Sequence, residues 1–352
     1  IRSAGAVDEF RALAERFNIP VVTSQLGKDV LYYEHPLFVG HSGPRGDRAG
    51  NFAVQTADLI ISVGCSLHSQ TTGWEDDLFA PAAIKVQVEL DDAVMAREKV
   101  SVTHKVKSGC KEFISAMLAQ AAPPPSLASW RSRCASWKGR YPVHMEPHER
   151  QKGSINFYHF VDALSDALGA DSCIVSDAGS SFYVMGQALR LKDGQRFISS
   201  GSMGAMGYAL PAANGAAAAE PSRTAVCVTG DGSLMTNVHE LSTMSQFKLS
   251  VKLFIINNDG YVSMRNTQRD FAGAHYVGAD RASGVFIPTM QSLAESFELP
   301  YRRCAEESEL ASTLNEVLSM DGPVLCEIIA PKKQKIIPAV TSIKLEDGRM
   351  QS

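Results

Sequence analysis

Two short glycine-containing segments carry residues suited to binding a metal ion and a phosphate group. Residues 230–233 (Gly-Asp-Gly-Ser) and residues 257–260 (Asn-Asn-Asp-Gly) each follow an apolar run typical of a buried strand. Neighbouring parallel strands place their carboxyl ends at one sheet edge, where ligands bind. Asp231, Asn258 and the Gly260 carbonyl would supply three oxygens there, and two phosphate oxygens and a water would complete the octahedron that Mg²⁺ prefers. The spacing therefore predicts a site for Mg²⁺ and phosphate.

The residues around these ligands fit a phosphate group as well. Gly232 has no side chain and would let the backbone approach a phosphate closely, and the N-terminus of a predicted helix at about 237–247 would favour an anion. Gly-Asp-Gly alone is more often an ordinary turn. The second segment, one helix and one strand further along the chain, makes the prediction specific.

The elements that position these segments alternate between helical and strand patterns, which predicts parallel sheets covered on both faces. The fold class expected is α/β, with two doubly wound parallel-sheet domains. Residues 1–120 form the predicted Rossmann-like central domain. Its elements are a helix at 6–17, strands at 19–23, 57–64 and 84–90, and a helix at 112–119. A doubly wound domain normally begins with a strand, so the first strand is expected to be missing.

Residues 121–153 are the predicted linker, because three consecutive prolines (123–125) precede a stretch without apolar periodicity. The second domain is expected over 154–352, with Ser154 capping a helix at 155–168. Its predicted strands are 173–176, 225–229, 253–257 and 324–329, and its tail from 331 has no periodic pattern.

Composition argues against several classes of partner. The net charge is −4 without a basic run, so no nucleic acid is expected. No run of about 18 apolar residues is present, so no membrane span is expected. The seven cysteines show no C-x-x-C spacing and are expected to be reduced thiols in a cytoplasmic protein.

The two segments and three further blocks resemble thiamine-diphosphate-dependent enzymes of the acetolactate-synthase-like group. Residues 201–213 (GSMGAMGYALPAA) resemble the G-x-x-G-x-M-G-x-x-L-P-A-A block of acetolactate synthases. Residues 176–181 (SDAGSS) resemble the strand-end loop whose amides meet the cofactor diphosphate. Residues 40–51, with the strand ADLIISVG at 57–64, resemble the central domain.

This resemblance implies thiamine diphosphate and Mg²⁺ as cofactors and assigns roles to single residues. The Gly204 carbonyl would hold the pyrimidine amino group, and Met206, the predicted catalytic residue, would prop the cofactor into its bent shape. The metal ligands would be Asp231, Asn258 and Gly260. The full set of predicted cofactor-binding residues is Gly179, Ser180, Ser181, Gly204, Met206, Gly230, Gly232, Ser233 and Tyr261.

The sequence departs from the family pattern at three places. The family's pyrimidine-binding domain, with its activating glutamate, does not precede Ile1, so this chain alone is expected to be inactive and to need that domain. Thr267 replaces the tryptophan of W-Q-x-x-F, which alters the predicted acceptor pocket. Residues 66–70 (Ser-Leu-His-Ser-Gln) differ from the flavin-contacting stretch, so FAD is not expected. Arg265 and His239 are candidate substrate contacts, with ordinary helix positions as the alternative.

The resemblance implies decarboxylation of a 2-oxo acid, with pyruvate the expected substrate, followed by carboligation to a second carbonyl compound. A simple 2-oxo-acid decarboxylase and a non-catalytic Mg²⁺–diphosphate-binding subunit that depends on a pyrimidine-domain partner remain open. Family active sites lie between two subunits, which implies a homodimer or homotetramer.

Overall fold

The computed structural model describes residues 1–121, 126–340, 343–344 and 350–351. These residues form two compact units. The first contains Ile1–Glu146 and the described residues after Ile336, and the second is Pro147–Ile336. The division lies inside the predicted linker 121–153. The tail from 331 was expected with the second domain; residues 331–336 group with the second unit, whereas the described residues from 337 onward group with the first.

The first unit contains short parallel sheets and helices in alternation, as the sequence predicts. Strands β1 and β2 pair in parallel, and β3, β4 and β5 form a second parallel sheet in that order. The helices are α1 (Val7–Phe17), α2 (Arg48–Thr56), α3 (Ser69–Thr72), α4 (Asp92–Met95), α5 (Cys110–Leu118) and α6 (Ala128–Arg140). The strands are β1 (Val21–Thr23), β2 (Phe38–His41), β3 (Leu59–Val63), β4 (Ile84–Glu89) and β5 (His104–Lys107).

Helix α6 lies in the segment expected to be a plain linker. Its Cys134 is buried with Val39 and Ala53, and Trp130 and Trp137 pack against the same cluster. The helix therefore forms part of the core of the first unit. The prolines on which the linker prediction rests lie at 123–125, outside the described residues.

The second unit is built on one sheet. Among the described residues, six parallel strands run in the order β10-β11-β9-β8-β6-β7. The strands are β6 (Cys173–Ser176), β7 (Arg196–Ser199), β8 (Ala225–Gly230), β9 (Val251–Asn257), β10 (Tyr301–Cys304) and β11 (Val324–Ile329). The helices are α7 (Phe157–Ala167), α8 (Ser180–Ala188), α9 (Ala209–Ala219), α10 (Asp231–Leu234), α11 (Glu240–Gln246), α12 (Val262–Phe271), α13 (Met290–Ser296) and α14 (Glu307–Ser319). In the part of the tail that groups with the first unit, β12 (Ile343–Lys344) and β13 (Met350–Gln351) pair antiparallel.

Parallel α/β architecture is thus confirmed, with local corrections. The edge strands β7 and β10 were not predicted, because they are short and carry polar, partly exposed residues. Asn156, rather than Ser154, caps α7, since its side-chain oxygen accepts from the Tyr158 N–H at 3.0 Å. The predicted helix at 237–247 is shorter, as α11, and the separate helix α10 begins directly at Asp231.

The central strands bring the predicted site segments to one edge of the sheet. Strands β8 and β9 are almost wholly buried, and Gly230 stands opposite Ile256 in their register. Because both strands run in the same direction, the residues that follow them emerge side by side. No helix of the described chain has the length and apolarity needed to cross a membrane.

Candidate functional site

The two glycine-containing segments meet at the carboxyl edge of the sheet. The Gly260 N–H donates to Oδ2 of Asp231 at 2.8 Å, across 29 residues of chain. Asp231 and Asn258 are both buried, at 1% and 6% exposure. The structure therefore brings together the three residues predicted as metal ligands.

The Asp231 carboxylate has one occupied and one open oxygen. Within the described part of the chain, Oδ1 is buried and has no hydrogen-bond partner. Burial raises the pKa of Asp231 to about 6. The backbone N–H groups of Gly260, Gly232 and Asn258 and the positive charge of Arg265 act in the opposite direction and lower this pKa. A buried carboxylate oxygen without a donor is costly unless something else approaches it. A cation at this position would satisfy it.

The backbone geometry at position 260 requires a glycine. Its φ of 119° lies where residues with side chains are strained, and a Cβ would stand 2.4 Å from the Ala279 carbonyl oxygen. The same carbonyl accepts from the Tyr261 N–H at 2.8 Å. The segment after Asn258 is therefore held against the chain near 279, which fixes the turn that returns Gly260 to Asp231.

Arg265 lies beneath this turn and is buried at 8% exposure. It donates to the backbone carbonyls of Asn258 at 2.6 Å and Asp259 at 2.8 Å, and to those of Lys332 and Ala279 at 3.1 and 3.2 Å. Its contact with Oδ1 of Asn258 is the longest, at 3.4 Å. A guanidinium engaged in this way holds residues 258–260, the predicted metal segment. The contact with a substrate carboxylate that the sequence suggested for Arg265 stays a prediction.

A cavity at the same edge gathers most of the predicted cofactor-binding residues. Beyond the predicted set it is lined by Phe157, Ala178, Ile256, Val262, Ser263 and Met264. The predicted residues in its lining are Gly179, Ser180, Ser181, Met206, Gly230, Ser233, Asn258, Gly260 and Tyr261. Met206 is 46% exposed, as expected of a residue that would contact a ligand rather than fill the core.

Two predicted glycines are absent from this lining. A Cβ on Gly232 would lie 2.5 Å from the Tyr261 ring, so Gly232 makes room for that ring instead of facing the cavity. Gly204 ends a short 3-10 helix with a left-handed φ of 59°, and no atom lies within 4 Å of the position of its missing Cβ. Their predicted contacts with the cofactor remain predictions.

Asp177, which sequence reasoning placed in the diphosphate loop without a role, is fully buried at the end of β6. Its carboxylate accepts from the N–H groups of Ala178, Gly207 and Ala209 and from the Thr229 hydroxyl. Burial raises its pKa, while these hydrogen bonds lower it. The sequence could have indicated a role for Asp177 through its position directly after a predicted strand, at the sheet edge where ligands bind.

His239, Thr267 and His68 are exposed and do not line the cavity. The His239 side chain is 72% exposed and stands 3.7 Å from Glu240. Thr267 is exposed on α12, where its hydroxyl donates to the Ser263 carbonyl. His68 accepts from the Gln70 N–H and caps α3. The described residues contain no cluster of three His, Cys, Asp or Glu side chains suited to a metal; amide and backbone oxygens must complete the predicted site.

The fold and the site define a class of protein: an α/β coenzyme-binding domain that receives its ligand at the carboxyl edge of a parallel sheet. Residues 177–328 match the family model of the thiamine pyrophosphate enzyme C-terminal TPP binding domain, and residues 1–117 match the model of the central domain. Together these matches span more than half of the chain. The chain belongs to the thiamine pyrophosphate enzyme family and carries its thiamine diphosphate-binding domain.

Similar proteins include several acetolactate synthase large subunits. The chain is 33% identical over 342 residues to that of Parasynechococcus marenigrum (strain WH8102), which covers 96% of this chain and 54% of the relative. It is 30% identical over 340 residues to that of Cyanidium caldarium, covering 95% and 57%. Isozyme 2 of Escherichia coli (strain K12) is 28% identical over 337 residues, covering 96% and 59%. The chain thus spans about half the length of these relatives, and the family resemblance seen in the sequence is confirmed.

Proposed function

We propose that this chain binds thiamine diphosphate through Mg²⁺ held by the Asp231 carboxylate, the Asn258 amide oxygen and the Gly260 carbonyl. The observation that carries the proposal is the buried Oδ1 of Asp231, which has no partner among the described residues and lies at the junction of two segments that border one cavity. Oxygen ligands of this kind suit Mg²⁺, which usually keeps substrate phosphate oxygens and water in its remaining positions.

The rest of the predicted set divides between the two ends of the cofactor. Gly179, Ser180 and Ser181, at the N-terminus of α8, would meet the diphosphate, since the first N–H groups of a helix have no partner within it. Gly230, Gly232, Ser233 and Tyr261 would border the metal and diphosphate. Gly204 and Met206 would contact the pyrimidine end. When bound, thiamine diphosphate supplies the electron sink for decarboxylation, and the chain supplies binding and orientation.

The activity proposed for the whole protein is decarboxylation of a 2-oxo acid, with pyruvate the expected substrate, and carboligation to a second carbonyl compound. The similar proteins named above are acetolactate synthase large subunits, which favours this activity over simple decarboxylation or a non-catalytic role. The protein is proposed to work as a homodimer or homotetramer. The family resemblance places the glutamate that activates the pyrimidine in another domain.

The metal site is tested by Asp231→Asn and Asn258→Ala in the product of the complete coding sequence. Each should weaken Mg²⁺-dependent thiamine diphosphate binding about 10²-fold or more, because Asn258→Ala removes one of three protein ligands and Asp231→Asn replaces the charged ligand with a neutral amide. Asp259→Asn is the matched control: Asp259 lies in the same segment, but its side chain pairs with Lys332. Isothermal titration measures all three variants, and wild-type affinity in Asp231→Asn would refute the assignment.

The dependence on a pyrimidine domain is tested with the 352-residue chain alone. Without a carboxylate at the pyrimidine, proton transfer loses help typically worth about 10²–10⁴-fold. We expect no measurable release of CO₂ from pyruvate at saturating thiamine diphosphate and Mg²⁺, and recovery when the family's pyrimidine domain is fused or added. Turnover of about 1 s⁻¹ by the chain alone would show that the activating acid lies within these residues.

A further inference from the structure

One buried carboxylate connects three parts of the chain that border the proposed cofactor site. Oδ1 of Asp177 accepts from the N–H groups of Ala178 at 2.7 Å and Gly207 at 3.0 Å. Oδ2 accepts from the Ala209 N–H at 3.2 Å and from the Thr229 hydroxyl at 2.9 Å. The Asp177 N–H itself donates to the Val228 carbonyl at 3.1 Å, which fixes its backbone to β8.

Three of these four partners lie next to a residue proposed to touch the cofactor. Ala178 directly precedes Gly179, the first predicted cofactor contact of the diphosphate loop (residues 176–181). Gly207 directly follows Met206, and its φ of 75° places the chain in a turn where a Cβ would stand 1.9 Å from Oγ1 of Thr236. Thr229 is two residues before Asp231. The carboxylate is therefore the common attachment of the diphosphate loop, the Met206 turn and residues 229–231, which include the proposed metal ligand Asp231.

Only an ionised carboxylate can serve all of these donors at once. It has two oxygens with about four acceptor positions and no proton to direct, and hydrogen bonds to an ionised acceptor are about twice as strong as neutral ones. Asparagine has the same shape but one acceptor oxygen. Its amide NH₂ would face two donors, and in a fully buried position no water would relieve that conflict.

We propose that Asp177 is a positioning residue that fixes Met206 relative to the diphosphate loop and to residues 229–231, and so sets the geometry of the reacting end of the cofactor. The inference rests on the proposed function. The role is one of orientation, because Asp177 is not among the residues that line the cavity in the described chain. Ala178, Met206 and Gly230 do line it, and they adjoin Asp177, Gly207 and Thr229 in sequence.

The kinetic test compares Asp177→Asn with Thr229→Val in the product of the complete coding sequence. Asp177→Asn should lower kcat about 10²-fold, the effect expected of a small misplacement of reacting groups. The Kd for thiamine diphosphate at saturating Mg²⁺ should change less than about threefold, because the residues proposed to bind metal and diphosphate are unaltered. Thr229→Val removes one hydrogen bond and should lower kcat about 3- to 10-fold. It also provides the test should Asp177→Asn fail to fold.

Ser165→Ala is the matched control. Ser165 is a buried residue of the same unit whose hydroxyl bonds Val161 and Arg190, away from the cavity. Its kcat should be that of the wild type. Equal losses of kcat in the control and in Asp177→Asn, or a loss of cofactor affinity in Asp177→Asn as large as its loss of kcat, would overturn the proposal.

A second readout does not involve catalysis. Amide hydrogen exchange without cofactor should be faster at Gly207 and Ala209 in Asp177→Asn than in the wild type, while amides of the edge strand β10 keep their wild-type rates. Unchanged exchange at both amides would overturn the positioning role even if the protein is an active thiamine diphosphate enzyme. Faster exchange in a protein that neither binds thiamine diphosphate nor consumes a 2-oxo acid would leave the hydrogen-bond junction established and refute the proposed function instead.

Discussion

Replacing Arg265 with methionine separates two roles for this side chain, support of the metal segment and capture of a substrate carboxylate. The guanidinium donates to four backbone carbonyls, of which Asn258 and Asp259 belong to the metal segment itself. Methionine fills a similar volume but donates nothing. The carbonyl oxygens of Asn258, Asp259 and Lys332 would then lose the donor that Arg265 supplies, whereas that of Ala279 would keep its bond from the Tyr261 N–H.

The expected size of the effect follows from those contacts. A lost hydrogen bond costs about 1 kcal/mol net, and more where the remaining group stays buried. Loss of the whole set should therefore destabilise the second unit by about 3–5 kcal/mol. Residues that orient a metal ligand typically change metal affinity 10- to 100-fold when mutated. We thus expect Arg265→Met to weaken Mg²⁺-dependent cofactor binding by about 10- to 100-fold.

The assay is isothermal titration of thiamine diphosphate at several Mg²⁺ concentrations, with the KM for the 2-oxo acid measured at saturating cofactor. Arg269→Met is the control, since Arg269 is on the same helix but exposed and paired with Asp270. A variant with unchanged Mg²⁺ dependence and a KM raised about 10-fold or more would refute support of the metal segment. That result would return Arg265 to the substrate role suggested by the sequence.

Two further predictions concern one residue in each unit. Met206→Ala should lower kcat about 10- to 10²-fold while thiamine diphosphate affinity stays within about threefold, because the anchors are intact and only the geometry of the reacting end is lost; normal turnover would make Met206 an ordinary apolar residue of the cavity wall. In the first unit, burial lowers the pKa of Lys28 from 10.5 to about 7. Between those pH values the unfolded chain holds a proton that the folded chain lacks, so Lys28 makes the free energy of unfolding rise with pH by about 1.4 kcal/mol per pH unit. Urea unfolding at pH 7, 8 and 9 measures the free energy of unfolding of the wild type and of Lys28→Met. The wild type should gain stability relative to the variant as the pH rises. A difference that does not change with pH would contradict the lowered pKa of Lys28.

The sequence was sufficient for the parts of the fold and site that depend on local pattern. The buried strands β8 and β9 are mostly apolar, and the polar residues after each had to meet at one sheet edge. Asp231, Asn258 and Gly260 could therefore be placed together before any coordinates were known. Helix α1 followed from apolar residues at helical spacing, and the structure has it within one residue of its predicted start.

The parts that could not be predicted depend on contacts between distant segments. Asp177 bonds Gly207 and Thr229, which are 30 and 52 residues away, and no local pattern reports such a pairing. Arg265 follows the metal segment closely in sequence, yet its role depends on the carbonyl of Lys332, 67 residues further on. Helix α6 was missed for a similar reason, since its Trp and Cys side chains gain their apolar partners only in the folded first unit.

The contrast between Asp231 and Asp177 gives a physical reason for assigning them different roles. Both are buried aspartates beside strand ends at one sheet edge, and burial raises the pKa of each. All donors near Asp177 come from the protein, and both of its oxygens are occupied, so a cation would have to displace hydrogen bonds that join three segments. Asp231 has the opposite arrangement: the Gly260 N–H fixes Oδ2, while Oδ1 is buried without a partner in the described chain. A fold that leaves one carboxylate oxygen open, and orients it by bonding the other, is suited to bind a metal there, and the saturated carboxylate nearby is suited to keep that site in shape.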